Sequence, residues 1–245
     1  MTASSPNSSA KKKPGRSRAS KKSGATALPA RAVAPGPRER LVETAAELFY
    51  RQGYSVTGIN QIIAESGTHK ASFYRYFESK EDLALAYLRM RGDYFRAFLA
   101  RLIERSASIQ EFADSWVKLT LREVRQERFF GCPIANFRGQ VAEPDARQAE
   151  LLREIINGWL GLIADFVRRV DGGASASPPR RRSDWNRQGP IPSPSLEPGA
   201  IAVQFLKIYE GSVQLYRLTG DPSYLRSMKD EMLAAARRPT STQRT

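Results

Sequence analysis

Lys70, Ser72, Arg75 and Tyr76 share one short stretch with Phe73, and Phe77 follows directly. What these side chains offer chemically is hydrogen-bond donation to a polyanion. On a helix the two phenylalanines, four apart, bury on one face and leave the ammonium, hydroxyl and guanidinium groups on the other. Such a helix can present donors to base edges in the DNA major groove.

A helix this short must be positioned by its neighbours. Just upstream, Ile59, Ile62 and Ile63 form the apolar face of another short helix, with Thr57 placed to cap its start and Gly67 to end it in the left-handed conformation. Before that, Leu41, Val42, Ala45, Leu48 and Phe49 recur at helical spacing from Arg38 until Gly53 supplies a stop. The spacing thus predicts helices of about fifteen, eight and seven residues, with the turn Glu65-Ser66-Gly67-Thr68 between the last two, the proportions of a helix-turn-helix. The third runs over His69 to Tyr76. Ser79 and Asp82 resemble a capping box that opens a fourth helix to about Arg105, striped by Leu83, Tyr87, Met90, Tyr94, Phe98 and Leu102.

Further helical patterns cover Ile109 to Glu127 (Ile109, Phe112, Trp116, Leu119), Ala146 to Val170, Ala200 to Leu218 and Pro222 to Arg237. Gly131 to Pro144 reads as a short helix or loop. No alternating strand pattern competes, so the fold class is all-α, an N-terminal three-helix DNA-binding unit followed by a larger helical domain. The expected boundaries are 1–37 for a disordered basic arm, 38–83 for the helix-turn-helix domain, 84–238 for the helical domain with a flexible insertion at 172–199, and 239–245 for a tail.

Charge supports a polyanionic partner. The formal net charge is +14, and eight of the 39 Lys and Arg residues lie in 1–37, where no acidic residue occurs. The arm reads either as a source of non-specific phosphate attraction or as a solvated tail. Arg180, Arg181 and Arg182 in the insertion admit the same two readings. With one cysteine and one histidine, Cys132 and His69, an intrachain disulfide and the usual zinc constellations are excluded, and a helical hydrolase lacks a second histidine to activate a nucleophile. Neither a cofactor nor enzymatic activity is expected. No apolar run predicts a transmembrane helix or signal peptide, which gives an expectation of a cytoplasmic, nucleoid-associated chain.

The stretch Thr57-Gly58-Ile59-Asn60-Gln61-Ile62-Ile63-Ala64-Glu65-Ser66-Gly67, followed by Lys70-Ala71-Ser72-Phe73-Tyr74-Arg75-Tyr76-Phe77-Glu78-Ser79-Lys80-Glu81-Asp82-Leu83, resembles the signature of the TetR/AcrR family of repressors. The resemblance implies phosphate contacts from Thr57, Tyr74, Tyr76 and Lys80, and base-edge contacts from Asn60, His69, Lys70 and Ser72. Tyr74 can alternatively pack beside Phe73 and Phe77. The sequence departs from the family at Gly58, where Ser or Thr is common, at Ile63, where Ala is usual, and in the arm and the insertion.

The resemblance further implies that the larger helical domain is a ligand-binding and dimerisation domain, with a homodimer on a palindromic operator, paired through the last two long helices, and a small-molecule effector that releases the DNA. Gly211 and Ser212 offer a close-approach point between protomers. Phe112, Trp116, Phe130, Cys132, Phe137 and Trp159 are the candidate effector-pocket residues, each also readable as ordinary core. Cys132 reads as an oxidant sensor, a pocket residue or a small buried hydrophobe. An architectural or non-specific DNA-binding protein, or an activator without an effector, stands as the alternative.

Overall fold

Pro37 opens the first helix, where its fixed φ suits the first helical position and its missing N–H leaves no bond unmade. The computed structural model describes residues 35–171 and 198–237, and every element among them is an α-helix. In chain order these are α1 (Pro37–Arg51), α2 (Ile59–Glu65), α3 (Lys70–Tyr76), α4 (Lys80–Glu104), α5 (Ile109–Arg125), α6 (Pro133–Arg138), α7 (Ala146–Asp171), α8 (Pro198–Thr219) and α9 (Ser223–Ala236). All but the last three residues of the expected arm, most of the expected insertion and the expected tail lie outside the described residues. Pro198 and Gly199, assigned to the insertion from sequence, belong to α8.

Local chemistry accounts for the helix boundaries. At α4, Ser79 Oγ accepts from the Asp82 N–H at 3.2 Å while Asp82 Oδ2 accepts from the Glu78 N–H at 3.4 Å, a reciprocal cap of the kind the sequence predicts. Ser108 and Glu111 do the same for α5. Gly67 ends α2 with φ +60°, a conformation that a Cβ makes costly. The cap of α2 differs from expectation. The capping position is Gly58, with no side-chain hydrogen bond, and Thr57 is turned inward.

Helix α4 carries the architecture. Its first half packs on α1, and its length packs on α7, which in turn lies against α8; α9 covers α8 and α5. At Gly92 the approach of α7 is so close that a Cβ would meet Ile155 Cγ1 at 2.8 Å, and the Gly92 carbonyl accepts from Trp159 Nε1 at 3.1 Å. The predicted stripe on α4 needs correction at Tyr94, which is 68% exposed, because steps of four residues advance a 3.6-residue helix by about 40° and carry the stripe off its face. Leu88, Gly92, Phe95, Leu99 and Leu102, spaced by fours and threes, hold that face instead. Leu119 of α5 is likewise exposed, and Val117 and Thr120 turn inward in its place.

Two aromatic groups fill the interior. Phe49, Tyr54, Tyr87 and Phe137 meet edge to face or tilted beneath α1, with centroids 4.8–6.2 Å apart. Phe95, Phe112, Trp116, Trp159, Phe166 and Tyr209 form the second group between α4, α5, α7 and α8, with Phe95 and Trp159 only 4.4 Å apart.

Candidate nucleic-acid interface

The α2–turn–α3 unit is held by side chains from outside it. Arg40 of α1 donates from Nε to the Ser66 carbonyl at 3.1 Å, satisfying an acceptor where α2 ends, and the hydroxyls of Ser66 and Thr68 lie 2.8 Å apart within the turn. Gln52 donates to Gln61 Oε1 at 2.9 Å and to Thr57 Oγ1 at 3.0 Å, tying the end of α1 to the body of α2. Phe73 is fully buried and Phe77 nearly so, with the Arg38 guanidinium 5.5 Å over the Phe77 ring. Burial of these rings sets the rotation of α3 about its axis, leaving His69, Lys70, Tyr74 and Arg75 exposed and Ser72 and Tyr76 half-buried. Asn60 on α2 is exposed as well.

Of the expected base-reading residues, Asn60, His69 and Lys70 are therefore exposed on α2 and at the start of α3, while Ser72 is half-buried. Tyr74 is 50% exposed while its ring still touches Phe73 at 5.2 Å, so packing and an outward hydroxyl coexist. Lys80 is half-buried at the first turn of α4, its Nζ 4.2 Å from the Tyr54 ring centroid, and burial lowers its pKa against the opposing pull of Glu81. Thr57 requires correction. It is 1% exposed, and its one hydroxyl proton goes to the Gly53 carbonyl at 2.6 Å, so this side chain has no donor left for a phosphate. Its type misled because an N-terminal Thr is equally suited to capping, contact or internal bonding, and only the path of the Gly53 turn selects among them.

Sequence reasoning also missed the residues that join this unit to the rest of the chain. Tyr50 of α1 donates its hydroxyl to the Gly131 carbonyl at 2.9 Å and accepts from the Phe130 N–H at 3.0 Å. Gln140, just past α6, accepts from the Ser55 N–H at 3.1 Å and from Ser55 Oγ at 3.2 Å. On its far side α6 meets α8, where Arg217 donates to Asn136 Oδ1. With partners some eighty residues apart, these bonds leave no trace in local pattern.

The six expected pocket residues divide between two places. Phe112, Trp116 and Trp159 lie fully or almost fully buried in the α4–α5–α7–α8 aromatic group, whereas Phe130, Cys132 and Phe137 line the α6 segment against α1. Among the described residues the buried Trp116 Nε1 and Glu210 Oε2 have no hydrogen-bond partner. Burial pushes the Cys132 thiol well above its usual range, with Glu210 adding to the rise. The thiolate is the oxidisable form, so this environment fits the buried-hydrophobe reading of Cys132 better than the sensor reading. At the expected dimer point, Ser212 is buried and only Gly211 faces out, because consecutive helical positions diverge by about 100°. Among the described residues no group of three or more His, Cys, Asp or Glu side chains is placed to hold a metal, and no helix is long and apolar enough to cross a membrane.

Residues 41–87 match the family model for bacterial regulatory proteins of the tetR family. The chain is 32% identical over 133 residues to the uncharacterized HTH-type transcriptional regulator YxaF of Bacillus subtilis, a match spanning 52% of this chain and 68% of that protein. It is 29% identical to the HTH-type transcriptional regulator LmrA of the same organism, over 54% and 72% of the two chains. In fold it is similar to the reduced form of Escherichia coli NemR, with a TM-score of 0.66 at 17% identity over 84% of this chain and all of that one. The regulatory protein TetR from Rhodobacter sphaeroides superposes with a TM-score of 0.64 at 21% identity, covering 81% and 98% of the two chains. The braced α2–turn–α3 unit, its outward donors and these likenesses converge: the chain belongs to the tetR family of bacterial helix-turn-helix transcriptional regulators, which act by binding DNA.

Proposed function

We propose that the protein is a homodimeric repressor that holds a palindromic operator and lets it go when a small molecule binds its helical domain. In this reading residues 38–83 contact DNA and residues 84–238 sense the effector and pair the protomers. Asn60, His69, Lys70 and Ser72 meet base edges, and Tyr74, Tyr76 and Lys80 meet phosphates. The exposed Leu215 and Leu218 on α8, with Gly211 on the same helix, favour α8 as the pairing surface. The effector is assigned in this reading to the aromatic group around Trp116 and Trp159, where Trp116 Nε1 has no hydrogen-bond partner among the described residues.

The observation that carries this reading is the double grip on the α6 segment, bonded to α1 and the α1–α2 turn through Tyr50 and Gln140 and to α8 through Asn136. In this reading a shift of α8 is passed to α1 along these bonds. It need only spoil the half-site spacing of roughly 34–36 Å between recognition helices. The effector acts by its differential affinity for the two states, each tenfold in that ratio corresponding to about 1.4 kcal/mol. The test is operator affinity measured with and without a panel of aromatic small molecules. Release by a molecule whose own affinity falls when operator is present supports the reading, since such coupling is reciprocal, and an operator affinity indifferent to every bound molecule refutes it.

A further inference from the structure

A cleft of about 740 Å³ opens on the outer side of α4, away from the aromatic group, between the start of α1, the end of α3 and the N-terminal half of α7. Its size falls within the roughly 300–1,000 Å³ of small-molecule sites. Phe77, Leu85 and Leu151, each less than a tenth exposed, supply apolar surface. Around it stand the guanidinium groups of Arg38, Arg89 and Arg147.

The charges in this cleft are not balanced in use. Of its carboxylates, Asp82 accepts from the Glu78 N–H and faces Arg147, Glu150 is paired with Arg153, and Glu154 is engaged as well. Arg38 and Arg89, by contrast, form no ion pair among the described residues, and Arg38 lies over the Phe77 ring. Arg147 is held loosely, 3.7 Å from Asp82 and 3.9 Å from Asp145, with its side chain 62% exposed. A planar guanidinium takes a carboxylate or phosphate through two parallel hydrogen bonds, stronger than those of a distant surface ion pair.

We propose that this cleft is a second ligand site, for a small organic oxyanion, a carboxylate or phosphate, that carries a short apolar body. The oxyanion sits between Arg89 and Arg147, and the apolar body lies on Leu85, Leu151 and Phe77. Drawing Arg147 onto the ligand releases Asp82, and with it the ion pair between the first turn of α4 and α7. That turn follows α3 directly, so occupancy here bears on the recognition helix independently of the aromatic group.

The test titrates the full chain by calorimetry with benzoate, 2-naphthoate and phenyl phosphate, using benzamide as the uncharged control. The three anions bind and benzamide binds at least tenfold more weakly; the order of the anions tells a carboxylate ligand from a phosphate one. Arg89→Ala and Arg147→Ala, both on exposed side chains, each weaken the anions about tenfold while the thermal midpoint stays unchanged. Ala86→Trp, which fills the cleft from its half-buried wall, removes binding of all three. Anions that bind no better than benzamide, or that bind the arginine variants as tightly as the parent, overturn the proposal. So does retention of binding in a folded Ala86→Trp protein.

Discussion

Replacing Tyr50 by Phe removes one oxygen and leaves the ring in place. The ring contact with Phe130 at 5.3 Å and the Arg91 guanidinium 5.0 Å over Tyr50 both survive. What is lost is the hydrogen bond to the Gly131 carbonyl at 2.9 Å and the one from the Phe130 N–H at 3.0 Å, both in a partly buried setting. At about 0.5–1.5 kcal/mol for each, the cost is about 1–3 kcal/mol, and the two backbone groups left without partners favour the upper half of that range. For a chain of this size about 2 kcal/mol corresponds to a fall of about 4–8 °C in the unfolding midpoint. Urea unfolding followed by circular dichroism measures it, with Tyr94→Phe as a control on a hydroxyl whose ring is mostly exposed. If the proposed effector release holds, the variant also narrows the ratio of operator affinities with and without effector, because the same bonds fasten the α6 segment to α1. A Tyr50→Phe protein within about 0.5 kcal/mol of the parent, the range of an unremarkable surface change, refutes the assignment of the α1–α6 link to these bonds.

Substitutions at three other positions probe separate parts of the account. Thr57→Val costs about 1–3 kcal/mol because the Gly53 carbonyl loses its hydroxyl partner, whereas Thr57→Ser keeps that bond and costs less than about 1 kcal/mol; equal stability of the two by urea unfolding contradicts the inward role. Gly92→Ala sets about 1 kcal/mol gained in helix propensity against about 1–3 kcal/mol for pushing branched Ile155 away, so a net loss of about 1 kcal/mol is expected, and a stabilised variant shows that α4 and α7 are less closely packed than described. Burial raises the pKa of Glu210, outweighing the opposing influence of the Cys132 thiol, so the folded state holds that proton more tightly than the unfolded chain does. Stability therefore falls as pH rises from the ordinary carboxylate value through the raised one, and Glu210→Gln, which has no such proton to lose, flattens that part of the profile and is the more stable protein at neutral pH. An unchanged profile counts against a buried carboxyl there.

The helix-turn-helix was legible because it is local. Its signals were helical spacing at Leu41 to Phe49, a cap at Ser79, a left-handed glycine at Gly67, and two phenylalanines four apart that set the rotation of α3. The errors fell where local pattern has more than one solution. A stripe built on steps of four placed Tyr94 inside, and only packing against α7 at Gly92 shows which face of α4 is inner. Thr57 had the right type for a phosphate contact and the wrong direction. Aromatic residues at helical spacing identified core without dividing it, so Phe130, Cys132 and Phe137 were grouped with Trp116 although they belong beside α1. The links through Tyr50 and Gln140 join residues 81 and 85 positions apart, beyond the reach of any periodicity.

Sequence-specific binding through α3 is tested most directly by selecting a preferred site from random duplexes and then comparing Lys70→Ala with the parent on that site and on a scrambled one at fixed salt. The account predicts a two-fold symmetric preferred sequence, a loss of about 1–3 kcal/mol on it from Lys70→Ala, and little change on the scrambled duplex. No preferred sequence, or an equal loss on both duplexes, contradicts it.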